Sequence, residues 1–433
     1  MAKTSSTPVT ADRPVTAAIV GAGHRSVGYA EYAIQHPDEL KIVAVADPRE
    51  FRRREVAARH NIPENMLFET AEQLAAHPKV ADAVINGTID KDHVPTALPL
   101  LKAGYHMLLE KPISTYESEV LDLLKVARET DRIVMICHVL RYAPFYAAIR
   151  QRIIDGEVGD IVNIQTCESV SYHHIAMGYV RGKWNRKDLG NYSTLSAKCC
   201  HDLDIVAWMK SGITPKSVSS FGGLMQYKPQ NAPEGSGMRC LVDCKIEKDC
   251  CYSAYKNYIE HDWWEEYAFD CIDYMKPTVE QKIESLKGND NPYGRCVWQC
   301  DNDVVDHQSV VIEFEDGSTA THTLIGGTSK PTRTIHIIGT KGEIQGVQTD
   351  AKFVIRHPDC RPDHEYSEEL IDLQCGTDMH GGGDLRLVED FVKSVRGTST
   401  SISNTNLEDS INGHRIVFAA DNSMEQHRPI EID

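Results

Sequence analysis

The feature that most constrains this chain is the alternation of short apolar runs with longer amphipathic ones across its first third. Residues 15–20, 41–46, 81–85, 106–109 and 133–139 are rich in Val, Ile, Ala and Leu and are too short for stable helices. Helical stretches lie between them, at about 26–36, 50–60, 95–103 and 117–130. Strands that alternate with helices pair in parallel, because each crossover carries the chain back to the starting edge. Runs that are apolar throughout fit strands covered on both faces. The expectation over residues 14–145 is an α/β, doubly wound parallel sheet.

The pattern changes after about residue 150. Residues 162–171, 217–224, 304–314, 319–325 and 333–338 read as strands, with few helices between the later ones. Glu315-Asp316-Gly317-Ser318 has the chemistry of a hairpin turn. Residues 146–433 are therefore expected to form a C-terminal α+β domain with a largely antiparallel open sheet. A helix near 195–209 and two closing helices, 384–395 and 406–425, complete it. Residues 226–300 gather Pro, Gly, Cys and aromatic side chains and read as an insertion. It could serve as a lid, an oligomer contact or a metal knot, or be an irregular surface excursion. Residues 1–13 are polar, lack the apolar core of a secretory signal, and read as a disordered leader.

Composition narrows the function. Of 433 residues, 41% are apolar and 25% charged, which is ordinary for a globular protein. No apolar run reaches the ~18–20 residues of a membrane helix, so no membrane partner is expected. Forty-six basic against 63 acidic residues give a net charge of −17. That field repels phosphate backbones and disfavours nucleic acid, while leaving room for one anionic cofactor at a local site. Thirteen cysteines, an odd number, favour reduced thiols in a cytoplasmic enzyme over a disulfide framework.

Gly21-Ala22-Gly23 follows the first strand and precedes a helix. Glycines there allow a tight turn and let a pyrophosphate reach backbone N–H groups at the helix start, which brings His24 and Arg25 alongside. The usual third glycine falls on Ser26, and Gly28 comes two residues later. Asp47, at the end of the second strand, suits an adenosine ribose diol and repels a 2′-phosphate, so NAD is favoured over NADP; Arg49 opposes that preference. The plainer alternative is a turn glycine pair and a capping aspartate.

In such sheets chemistry lies at the carboxyl ends of the strands. Residues 88–93, Glu110-Lys111-Pro112 and residues 138–142 fall there. An ammonium at Lys111 could hold a substrate hydroxyl and stabilise the alkoxide as hydride leaves. The alternative is an exposed lysine at a strand end.

These residues resemble the glucose–fructose oxidoreductase, inositol dehydrogenase and rhizopine catabolism family (Gfo/Idh/MocA) over nearly the whole chain. The likeness rests on Glu110-Lys111-Pro112, on Thr88 with His93, and on Arg141-Tyr142-Ala143-Pro144. Gly156-Glu157-Val158-Gly159-Asp160, Ile338-Gly339-Thr340-Lys341-Gly342 and His380-Gly381-Gly382-Gly383-Asp384 add to it. The resemblance implies a Rossmann domain binding NAD(P) near Gly21, Gly23, Asp47, Thr88, His93 and Glu110. It further implies a catalytic Lys111, a sugar, glycoside or cyclitol substrate, and a homo-oligomer.

One segment departs from the family, in which an Asp commonly stands four residues before a His on one helix. Here Ala197 occupies that position, followed by Lys198, with His201 and Asp204 in place. Lys198 and His201 share a helix face, and Asp204, one turn on, could orient the imidazole. His201 is the first choice as general base. Lys198 is the second, its charge disfavoured by Lys111 nearby. Tyr172 or His173 stay open. Residues 171–186 concentrate Tyr172, His173, His174, Tyr179, Arg181, Trp184 and Arg186, suited to a sugar or aromatic glycoside or to interdomain packing. Tyr172, Trp184, Arg141, Tyr142 and Asp204 are the candidate substrate contacts.

Cys240, Cys244, Cys250, Cys296 and Cys300 lie in the insertion. They could hold structural zinc or an iron–sulfur cluster, remain free thiols, or pair as a disulfide. No metal is assigned to the catalytic site. The leading function is an NAD-dependent dehydrogenase of carbohydrate or cyclitol hydroxyls. The alternatives are a redox-neutral glycoside-cleaving enzyme working by oxidation, elimination and reduction, and a non-catalytic NAD-binding regulator.

Overall fold

The computed structural model describes residues 10, 12–272, 277–374 and 380–432. Most of the expected leader lies outside them. Arg13, inside them, is not loose: its guanidinium donates to both Asp82 oxygens, at 2.6 and 2.8 Å.

The first sheet has strands β1 (Val15–Val20), β2 (Leu40–Ala46), β3 (Leu67–Phe68), β4 (Ala83–Asn86), β5 (His106–Leu109) and β6 (Val134–Ile136). Their order is β3-β2-β1-β4-β5-β6 and every pairing is parallel. The order reverses direction after β1, so the crevice at the carboxyl ends of β1 and β4 is the natural ligand position. Strands β1 and β4 to β6 are almost wholly buried, as their unbroken apolar sequences require. Two apolar cores cover the two faces of the sheet.

The second sheet has nine strands: β7 (Ile161–Ser171), β8 (Pro215–Gly223), β9 (His307–Phe314), β10 (Thr319–Thr328), β11 (Thr332–Gly339), β12 (Glu343–Val347), β13 (Lys352–Pro358), β14 (Tyr366–Asp372) and β15 (Ile430–Glu431). The order is β14-β13-β12-β11-β7-β10-β9-β8-β15, antiparallel except for the parallel β7–β10 pair. The helix Cys200–Met209, buried at every residue, packs against this sheet. The expected regular helix from 195 begins instead as a π-helical turn, Leu195–Cys199. Such turns recur at functional sites, and here the Ala197 carbonyl accepts the Lys111 ammonium at 2.9 Å.

The two sheets are not served by two separate stretches of chain. The helix Gly383–Val395 returns to the first sheet, where Leu387, Val388, Phe391, Val392 and Val395 join the core around Tyr29 and Ile85. The helix Leu407–Gln426 contributes to both halves, Leu407 and Ile411 to the first and Ile416, Val417 and Ala420 to the second. The insertion leaves between β8 and β9 and forms a small core of its own from Cys240, Ala254, Tyr258, Ala268, Phe269, Leu286 and Tyr293, against Met177.

Candidate active site

A cleft of about 1380 Å³ opens at the carboxyl ends of the first sheet and is closed on its other side by the second sheet and the insertion. Its floor is the turn after β1. Gly21 has φ +76°, and a Cβ there would stand 2.7 Å from the Thr88 backbone, so only glycine fits. The helix His24–Gln35 then starts at Gly23 with no side chain capping its first N–H groups. Uncapped donors beside a glycine turn fit a dinucleotide pyrophosphate. Asp47 closes the β2 side, its two oxygens accepting N–H groups of Ala22 at 2.7 Å and Arg49 at 2.8 Å.

Several expected cofactor residues line this cleft but spend their polar atoms on the protein. Arg25 donates to Glu110 at 2.9 Å and to Asp384 at 2.8 Å. Glu110 accepts from Tyr29 at 2.7 Å and from the Lys111 N–H at 2.7 Å. Burial alone would push the Glu110 carboxyl up; Arg25, Lys111 and these hydrogen bonds hold it at about 2. His93 stands between the Pro112 and Thr88 carbonyl oxygens, 2.6 and 3.1 Å from its two ring nitrogens. Glu110 and His93 therefore brace the loops that present Lys111 and Thr88. His24 sits edge-on to Tyr267 of the insertion at 4.5 Å.

Lys111, Lys198 and His201 line the same cleft. His201 is buried, and its Nδ1 has no hydrogen-bond partner. Burial first, then the positive charge of Lys111 and the neighbouring His138, His380 and Arg333, keeps its imidazole neutral far below the usual histidine range. Lys198 is paired with Glu168 at 3.2 Å. Its pKa is lowered, as expected, but the cause is burial rather than repulsion from Lys111, with Glu168 opposing. Glu168 also accepts Arg333 at 2.7 Å, and Arg333 donates to Asp202 at 2.9 Å. Two cations and two carboxylates thus form one buried chain, of which Lys198, Glu168 and Arg333 line the cleft.

The expected substrate contacts divide. Trp184 lines the cleft, donating to Asp90 at 3.0 Å and stacked on Tyr179. Arg141, Tyr142, Tyr172 and Asp204 are corrected, since none of them lines it. Arg141, wholly buried, binds Asp204 through two bonds of 2.7 and 2.6 Å and also reaches Asp409 and the Asn404 carbonyl. Asp204 therefore serves Arg141 and does not orient His201. Tyr142 donates to Asp390 at 2.8 Å. The short 3-10 turn Val139–Tyr142 after β6 aims these side chains inward. Tyr172 turns to the ring of Tyr252 instead.

Residues not foreseen complete the walls: Glu168, Arg333 and His380 from the second half, and Trp264, Tyr267 and Asp270 from the insertion. A signal existed for one pair. Glu168 and Arg333 are charged residues inside otherwise apolar-patterned strands, and they face each other across β7 and β11. The insertion's cysteines are not drawn together as an ion would need. Among the described residues only Cys199, Asp202 and His322 bring three ligand atoms within 4.8 Å of one another. The described cysteines are free thiols, and no helix among the described residues is long and apolar enough to cross a membrane.

Residues 15–138 match a family model described as an oxidoreductase family with an NAD-binding Rossmann fold, and residues 150–432 match that family's C-terminal alpha/beta domain. The oxidoreductase YteT of Bacillus subtilis is 24% identical over 361 residues, 80% of each chain. The trans-1,2-dihydrobenzene-1,2-diol dehydrogenase of Bos taurus is 28% identical over 186 residues, 42% of this chain and 52% of that one. The WlbA dehydrogenase of Bordetella pertussis, solved with NADH and UDP-GlcNAcA, superposes with a TM-score of 0.67 at 14% identity, covering 98% and 99% of the two chains.

Proposed function

The chain belongs to the Gfo/Idh/MocA oxidoreductase family, and on that premise we propose that it is an NAD-dependent dehydrogenase of a sugar, glycoside or cyclitol hydroxyl. The observation that carries the reading is the placement of Lys111. A braced lysine at the end of β5 enters the same cleft as His201, above a turn that accepts a dinucleotide. Bound there, NAD supplies the hydride acceptor.

The chain's own groups do the rest. Lys111 holds the reacting oxygen and stabilises negative charge as it develops. His201, neutral at working pH, takes the hydroxyl proton. Lys198 stays bound to Glu168 and sets the positive side of the wall. Trp184, Tyr267 and Trp264 offer ring faces to an apolar sugar surface. Asp47 disfavours a 2′-phosphate. The test is a screen of sugars, cyclitols and glycosides with NAD, following NADH absorbance and the mass of the product. A product two hydrogens lighter with matching NADH supports the reading.

A second reading is favoured by one contact. Asp270 of the insertion is bonded to Arg49 and Arg52 beside the cofactor end of the cleft. A strap there retains the dinucleotide between turnovers, as a redox-neutral glycoside-cleaving enzyme needs. Cleavage without NADH accumulation, by protein isolated with NAD bound, selects it.

A further inference from the structure

We propose that His380, oriented by Asp384, is the outlet for the proton that His201 takes, a relay that rests on the dehydrogenase reading above. Oxidising a hydroxyl carbon sends a hydride to the nicotinamide and a proton to the base, and that proton has to leave before the next turnover. His201 is 5% exposed, and its Nδ1 has no hydrogen-bond partner among the described residues. The position four residues earlier, where a carboxylate could receive the proton, is Ala197.

Among the described residues two imidazoles pack beside the His201 ring, His138 at 5.8 Å and His380 at 6.0 Å between ring centres. The His138 branch ends inside the protein. His138 is wholly buried, and beyond it stand Asp204 at 3.6 Å and the His414 ring at 5.3 Å. Asp204 is held by two bonds from Arg141. His414 accepts the Ile113 N–H at 2.8 Å through Nε2, and its Nδ1 lies 3.4 Å from the Ser410 carbonyl oxygen. Neither group passes a proton on to solvent.

The His380 branch opens outward. His380 lines the cleft with His201, and its side chain is 21% exposed and that of Asp384 34%. Its Nδ1 lies 3.1 Å from the Asp384 carboxylate, which keeps a proton on Nδ1 and leaves Nε2 as an acceptor. Asp384 lies in the first turn of the helix Gly383–Val395 and is fixed by Arg25 at 2.8 Å. Its charge favours a protonated His380 ring, while burial, Arg25 and Arg333 oppose one, so the ring passes a proton on rather than keeping it. Only a proton moves. His201 takes it at one ring nitrogen and gives up the proton on the other, across a gap that one water spans. His380 accepts at Nε2, releases the Nδ1 proton past Asp384 to bulk solvent, and a tautomer exchange resets the ring.

The experiment follows exchange of the His201 ring N–H with water by NMR on the full chain carrying isotope-labelled histidine, its signal identified by loss in His201→Ala. His380→Gln keeps a donor for Asp384 but cannot pass a proton between two ring nitrogens, and His380→Phe removes both functions. The expected result is exchange slowed ~10-fold or more in both variants. Unchanged or faster exchange overturns the proposal, because loss of a purely structural side chain would loosen the site and admit water. A second arm measures turnover in dilute buffer on the substrate found in the NAD screen. It should fall ~10-fold or more in His380→Gln and recover on addition of imidazole. Turnover that does not fall, or that imidazole does not restore, overturns the relay. If the unaltered protein moves no hydride from any sugar, cyclitol or glycoside, the dehydrogenase reading fails, and the exchange measurement still decides whether His380 serves His201.

Discussion

His201 and Lys198 differ in what surrounds them, and their variants should differ accordingly. His201 carries no counter-ion and is held neutral, so His201→Ala is expected to lower turnover by ~10²-fold or more. Lys198→Met should alter substrate KM more than turnover, because its ammonium is committed to Glu168. A base must be neutral to act. Since the His201 pKa is depressed, the oxidation rate should stay level as pH falls through 6.5 and drop only at more acid values. A pH–rate profile that breaks at the ordinary histidine value would show the assignment to be wrong. Arg141 gives the opposite kind of prediction. Arg141→Ala leaves Asp204 buried without its partner and should cost ~3–5 kcal/mol in stability, visible as a lower melting temperature rather than a substrate-specific change in KM. This contrast marks how far the sequence could be read. The positions of Lys111, Gly21 and Asp47 along the cleft were legible because a strand end and a glycine turn restrict what their neighbours can do. Arg141, Tyr142 and Asp204 have the composition of a site, but a four-residue turn after β6 decides whether they face cleft or core, and sequence spacing does not specify its direction.

At the scale of elements, β1, β2 and β4 to β11 were legible from their apolar residues. The three strands β12 to β14 were not anticipated, although Ile344, Phe353 and Ile355 give β12 and β13 a buried face. In β14 every residue but one is exposed and half-charged runs replace alternation, so no buried face betrays the strand. The insertion was legible as a segment, with a lid among its open readings, but its partners were not, since Arg49 and His24 lie far away in the chain. Asp270 is the test. It joins the insertion to Arg49 and Arg52, and Asp270→Ala should speed NAD release and raise the use of NADP relative to NAD, as both arginines become available to a 2′-phosphate. Unchanged release rates and an unchanged preference between the two cofactors would remove the strap from the account.

The whole molecule buries an unusual set of histidines. His138, His174 and His201 are held well below 6.5, and His414 is lowered to about 3, with burial the first cause in each. The unfolded chain protonates such groups below 6.5 while the fold does not. Their contribution to stability is therefore complete above 6.5 and is lost as pH falls toward the folded values, at ~1.4 kcal/mol per pH unit for each histidine. Asp421, raised to about 6 by burial, works against this trend over part of the range. Denaturation midpoints should fall steadily from neutral pH toward 5, and a flat profile would mean that these imidazoles are hydrated or paired in the folded protein. The central claim, hydride transfer in the cleft assisted by Lys111, is tested most directly with substrates deuterated at carbon. The unaltered protein should move deuterium from a carbohydrate or cyclitol carbon to the nicotinamide ring, and Lys111→Ala should do so ~10²–10³-fold more slowly at unchanged melting temperature. Transfer at the same rate in both proteins, or none from any such substrate in protein shown to bind NAD, would contradict it.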